Sequence, residues 1–145
     1  MRTKQLQKAL RFHRDTKTIF SGVYPSDRLP PIPRGELVTL VVNTDPSHKP
    51  GQHWVAYFFT RTQAFYFDSY GRQPMTPGLC KLMRRRKRMK YFSRRLQGTG
   101  DVCGDYCLYF ILAMTWKLDF DCFGRDLKAN DRYVRKFVRK YFAVI

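Results

Sequence analysis

A chain of 145 residues with 28 basic and 11 acidic side chains, a formal net charge of +17, is built to meet polyanions, nucleic acid first and anionic membrane surfaces second. Hydrophobic residues at 43% and aromatics at 16% exclude a disordered chain, and the length fits a single domain over residues 1–145 with a core of its own. No apolar run approaches the ~18 residues needed to cross a bilayer, and the opening MRTKQLQKAL has no signal-peptide core, so neither membrane insertion nor secretion is expected.

In chain order, Leu6, Ala9, Leu10 and His13 recur at helical spacing and predict a short helix over residues 3–14. Ser21–Arg34 is rich in Pro and Gly and reads as an irregular loop. Glu36–Val42 is β-rich and reads as a buried strand. After the turn-forming NTDPSHKPGQ come His53–Phe59 and Ala64–Asp68, separated by TRTQ, which predict a hairpin.

Between residues 79 and 95, Leu79, Leu82, Met83 and Met89 fit one apolar face of a helix. Eight of the twelve residues Arg84–Arg95 are basic: Arg84, Arg85, Arg86, Lys87, Arg88, Lys90, Arg94 and Arg95. These are the candidate DNA contacts, against the alternative of a solvated helix face or flexible loop. Leu96–Asp101 carries two glycines and reads as a loop. Cys103–Trp116 is too apolar for an exposed helix and is expected to be buried. The doublets Tyr133/Val134, Phe137/Val138 and Tyr141/Phe142 predict an amphipathic C-terminal helix capped near Asn130 or Asp131, with Arg132, Arg135, Lys136, Arg139 and Lys140 outward. Helices at both ends and about three strands between them give an α+β class.

The four cysteines, Cys80, Cys103, Cys107 and Cys122, are read as thiols, since nothing points to an oxidising compartment. Cys103 falls at the start of a helix, where the dipole and unpaired N–H groups favour a thiolate and an oxyanion. It is therefore a candidate nucleophile, against the alternative of one more core cysteine. Gly104 would let the backbone approach a substrate carbonyl. Cys107, one turn on, reads as core. A cysteine nucleophile needs a base and a group that orients the base. Of His13, His48 and His53, the last opens a rigid strand. Asp68 ends the partner strand, so the hairpin should bring the two together; the alternative is a plain turn role in DSYG. Gln97 is a candidate oxyanion donor. No metal ligand set is expected.

The segments GQHWVAYFF, FYFDSYG and LQGTGDVCGDYC, in this order, resemble the adenain family: adenovirus maturation proteases and similar enzymes of Polinton-type elements and related DNA viruses. FSGVYPSDRLP and VVNT also look like family regions, so the resemblance runs from Ile19 to Phe110. It implies a permuted papain-like fold of a mixed sheet flanked by helices, with His53 as base, Asp68 as orienting acid, Gln97 as oxyanion donor and Cys103 as nucleophile. Trp54 matches the aromatic that packs beside the base. The resemblance implies cleavage of viral capsid or core precursors by a monomer that needs no cofactor for its chemistry. It further implies DNA as activator, and a place in the virion, the infected-cell nucleus or a cytoplasmic viral factory. The Gln-to-Cys interval is one residue shorter than in adenain, and no cysteine lies in Arg84–Arg95, where the family's activating peptide is bound by a disulfide. The peptide activator is thus unknown. A ubiquitin-like-protein protease and an inactive, basic nucleic-acid-binding virion protein are the alternatives.

Overall fold

The computed structural model describes residues 1–45 and 53–142. The elements are α1 (Thr3–Phe12), β1 (Phe20–Pro25), β2 (Val38–Asn43), β3 (Trp54–Phe59), β4 (Gln63–Phe67), α2 (Pro77–Met83), β5 (Arg88–Phe92), α3 (Cys103–Trp116) and α4 (Leu127–Tyr141). The five strands form one mixed sheet in sequence order. β2–β3 and β3–β4 are antiparallel, while the outer pairs β1–β2 and β4–β5 are parallel. The fold is α+β.

The central strands are apolar without a break because both faces of the sheet are covered. Side chains alternate across a strand. On β3, Trp54, Ala56 and Phe58 join the core formed with α1, α3 and α4. Val55, Tyr57 and Phe59 join a second core with Leu79, Leu82 and Met83 of α2. In α3 every residue from Tyr106 to Ala113 is buried, as expected of a helix with no polar face.

Four expectations change. The Ser21–Arg34 loop contains all but the first residue of a strand, β1, which pairs with β2 through a bulge between Phe20 and Gly22. A strand that pairs only with a distant, parallel neighbour leaves little local signal. The basic stretch is not one helix. Thr76 accepts from Leu79 N and starts α2, which ends at Met83. Like charges one turn apart disfavour a longer helix, and Arg88–Phe92 instead adds to the edge of β4. Met89 lies exposed on that strand, not on a helix face. Finally, α4 starts earlier than expected: Asp126 caps it by accepting from Ala129 N at 3.2 Å. Asn130 and Asp131 are freed for inward contacts and are buried.

Arg86 also changes role. It is 7% exposed, and its guanidinium donates to the carbonyls of Thr60 (2.6 Å), Pro33 (2.8 Å), Glu36 (3.1 Å) and Arg85 (3.0 Å). It ties the turn after β3 to the segment before β2, so its donors are spent inside the fold. Losing them would leave buried carbonyls unpaired. Arg86→Ala should cost about 2–3 kcal/mol in urea unfolding, whereas Arg84→Ala should stay within about 0.5 kcal/mol. Equal, small costs would show that Arg86 is a surface charge.

Candidate active site

The β3–β4 ladder ends at Ala56↔Phe67, so His53 precedes one strand and Asp68 follows the other on the same edge. His53 Nε2 lies 2.8 Å from Asp68 Oδ1. The same oxygen accepts from Tyr70 N at 2.8 Å, and Gly71 N donates to the Asp68 carbonyl at 2.8 Å. Asp68 thus serves the turn and the histidine together, and the two readings of it are not exclusive. The Tyr70 ring packs on the imidazole, with centroids 4.9 Å apart. Arg72 Nε is 3.7 Å from Asp68 Oδ2 on a half-exposed side chain, a weak pair. A cavity of about 210 Å³ opens beside this arrangement, walled by Thr44, Tyr66, Arg72, Met75 and Leu79.

With Nε2 engaged by Asp68, the imidazole has Nδ1 left over, and Cys103 is near enough to act on the charge of the ring. Cys103 is the first residue of α3, 4% exposed. Burial pulls the His53 pKa down, but the hydrogen bond to the Asp68 carboxylate, the charge of that carboxylate and the nearness of Cys103 outweigh it and raise it from 6.5 to about 9. The two neighbours thus favour the imidazolium over the neutral ring. Cys107, fully enclosed, has its thiol pushed up by burial and stays core. His13 packs its ring between Trp116 and Phe142 and is a structural residue. His48 lies outside the described residues.

Gln97 is 1% exposed in the loop between β5 and α3. Its Oε1 accepts from Ser69 Oγ at 2.5 Å, and its Nε2 donates to Gly100 O at 2.6 Å. Trp54 Nε1 donates to Met1 O at 3.3 Å. The space beside Gly104 is occupied too: a Cβ there would stand 3.0 Å from Met1 Cβ and 3.4 Å from Leu6 Cδ2. The missing Cβ of Gly104 thus leaves room for Met1 and Leu6.

Sequence reasoning passed over the residues that hold this loop. Asp131 accepts from Gly98 N (3.1 Å) and Tyr106 Oη (2.7 Å), and Asn130 Nδ2 donates to Leu96 O (3.1 Å). Gly71, at φ 75°, lies so close to the 93–95 backbone that a Cβ would meet Ser93 O at 2.7 Å. The available signals were the DSYG turn and a polar pair, Asn130 and Asp131, at the foot of an amphipathic helix.

No protein-family model and no curated protein matches the chain. Among solved structures it is similar to the crystal structure of the ASFV pS273R protease, at 25% identity and a TM-score of 0.49, over 66% of this chain and 42% of that one. The chain spans less than half the length of that protease. A likeness of this size decides nothing about activity.

The eight basic candidates differ in their surroundings. Arg84, Arg85, Arg86 and Lys87 line a cavity of about 530 Å³ together with Arg34 and Arg61, which the sequence reading had not singled out. Arg88 and Lys90 lie on β5. Arg94 donates to the carbonyls of Phe120 and Phe123, and Arg95 to that of Gln97. Arg86 contributes its charge there while its donors are engaged by carbonyls.

The raised pKa has a signed consequence. Protonation of His53 stabilises the folded state in full below pH 6.5, the ordinary value, and that contribution is lost as pH rises through about 9. In an NMR titration the His53 midpoint should lie near 9 and fall in Cys103→Ala, which removes a neighbour that raises it. A midpoint near 6.5, unchanged by the substitution, would mean that the two side chains do not interact.

Proposed function

We propose that this chain is a cysteine endopeptidase with Cys103 as nucleophile, His53 as base, Asp68 as orienting acid and Gln97 as oxyanion donor. The supporting observation is the His53 ring, held through Nε2 by Asp68 at 2.8 Å with Nδ1 left for a thiol at a helix start. His53 takes the Cys103 proton, or holds the thiolate as an ion pair. Cys103 Sγ attacks the peptide carbonyl. Gln97 Nε2–H and the Cys103 backbone N–H stabilise the oxyanion. The imidazolium returns its proton to the leaving amine, and His53 then activates the water that releases the acyl group.

The resemblance to adenain-like enzymes supports a finer reading: a virus- or transposon-encoded, monomeric protease that cleaves capsid or core precursors in the virion or infected cell, in a permuted papain-like fold. The net charge of +17 and the cluster of Arg34, Arg61, Arg84, Arg85 and Lys87 favour DNA as its activator.

Thiol-reactive labelling with mass spectrometry tests the chemistry. Labelling should be fast and selective at Cys103, and should collapse in His53→Ala. Cys103→Ala should abolish peptide cleavage with the fold retained, and Asp68→Asn should leave weak activity. Slow labelling spread over all four cysteines would instead favour a basic nucleic-acid-binding protein. Cleavage of ubiquitin-like fusions, with short Gly-containing peptides left intact, would redirect the substrate class.

DNA affinity should fall steeply with salt and survive Cys103→Ala. Fluorescence anisotropy between 50 and 200 mM salt is the measurement. A salt-independent affinity would remove the basic cluster as the contact.

A further inference from the structure

We infer that Ser69 is a positioning residue for the oxyanion donor; the inference rests on the protease reading above. Ser69 is 1% exposed and follows Asp68 directly. Its carbonyl accepts from two successive amides, Leu96 N at 2.9 Å and Gln97 N at 3.0 Å. Its hydroxyl donates to Gln97 Oε1 at 2.5 Å. One serine thus grips both the backbone and the side chain of Gln97.

The effect on the amide follows from its donors and acceptors. A Gln amide has two acceptor lone pairs on one side and two N–H groups on the other. The Gly100 carbonyl can only accept, so it requires Nε2 on its side. Ser69 then satisfies the buried Oε1, which would otherwise lack a donor among the described residues. Nε2 uses one hydrogen on Gly100 and keeps the second for an oxyanion. Without the hydroxyl, the amide must turn or shift to find a donor, and an oxyanion contact is sensitive to displacements on that scale.

The arrangement also joins the two halves of the site. Asp68 holds the base, and the next residue holds the oxyanion donor. Any movement of the turn reaches both. Ser69 itself does not touch the reacting atoms.

The test compares wild type, Ser69→Ala, Gln97→Ala and the double variant, all as the full chain, with a short peptide substrate. Ser69→Ala should lower kcat by about 10- to 100-fold with KM nearly unchanged. Alkylation of Cys103 by iodoacetamide forms no oxyanion, so its rate should not change. In the Gln97→Ala background, removing the hydroxyl should cost nothing further. Ser69→Cys, of similar volume and with a weak S–H donor, should recover part of kcat and covers the case in which Ser69→Ala is poorly folded. Unchanged kcat, an equal loss in alkylation, or full additivity with Gln97→Ala overturns the inference. The Gln97 side-chain NH₂ signal in NMR gives a readout independent of activity. It should move in Ser69→Ala; an unmoved signal overturns the inference even if no peptide is ever cut. Absent cleavage and absent selective labelling in wild type would refute the protease reading alone.

Discussion

Asp68 Oδ1 accepts two hydrogen bonds at 2.8 Å, one from the His53 ring and one from the Tyr70 amide. The first orients the imidazole and the second shapes the turn that leaves β4. Both end on one oxygen, so the position of Asp68 sets the imidazole and the turn together. The turn in turn carries Ser69 and Gly71, against which the segment leading from β5 to Gln97 is laid. Gly71 is needed there for two reasons: its φ of 75° and the approach of the 93–95 backbone.

The rest of the fold supplies rigidity around that point. The sheet is packed on both faces, so the ends of β3 and β4 cannot twist independently. α3 is enclosed over most of its length and presents Cys103 at its first turn. α4 contributes by an unexpected route. Its cap is Asp126, which leaves Asn130 and Asp131 to hold the loop at Leu96 and Gly98. The amphipathic helix is thereby a brace for the loop that carries Gln97 as well as a packing element.

Electrostatics inside the site run against the charge of the whole molecule. A net charge of +17 disfavours one more cation, yet His53 is raised to about 9. Short-range partners decide this: a carboxylate at hydrogen-bond distance in a poorly solvated place outweighs distant, screened charges. The surplus of positive charge acts elsewhere. It is split between structural work, as at Arg86, and an open cluster at Arg34, Arg61, Arg84, Arg85 and Lys87.

The sequence by itself determined what local pattern can encode. The α+β class, the hairpin, the buried helix from Cys103 and the meeting of His53 with Asp68 follow from periodicity, turn chemistry and antiparallel pairing of neighbours. It could not determine what depends on partners far along the chain. β1 and β5 exist because they pair in parallel with β2 and β4 across long connections, and such pairing leaves no hairpin signal. Arg86 looked identical to its neighbours until the carbonyls of Thr60, Pro33 and Glu36 came to it. Ser69 looked like a turn residue until Gln97, 28 positions away, proved to be its partner. A buried hydrogen bond is specified by both ends at once, and the two ends meet only when the chain is folded.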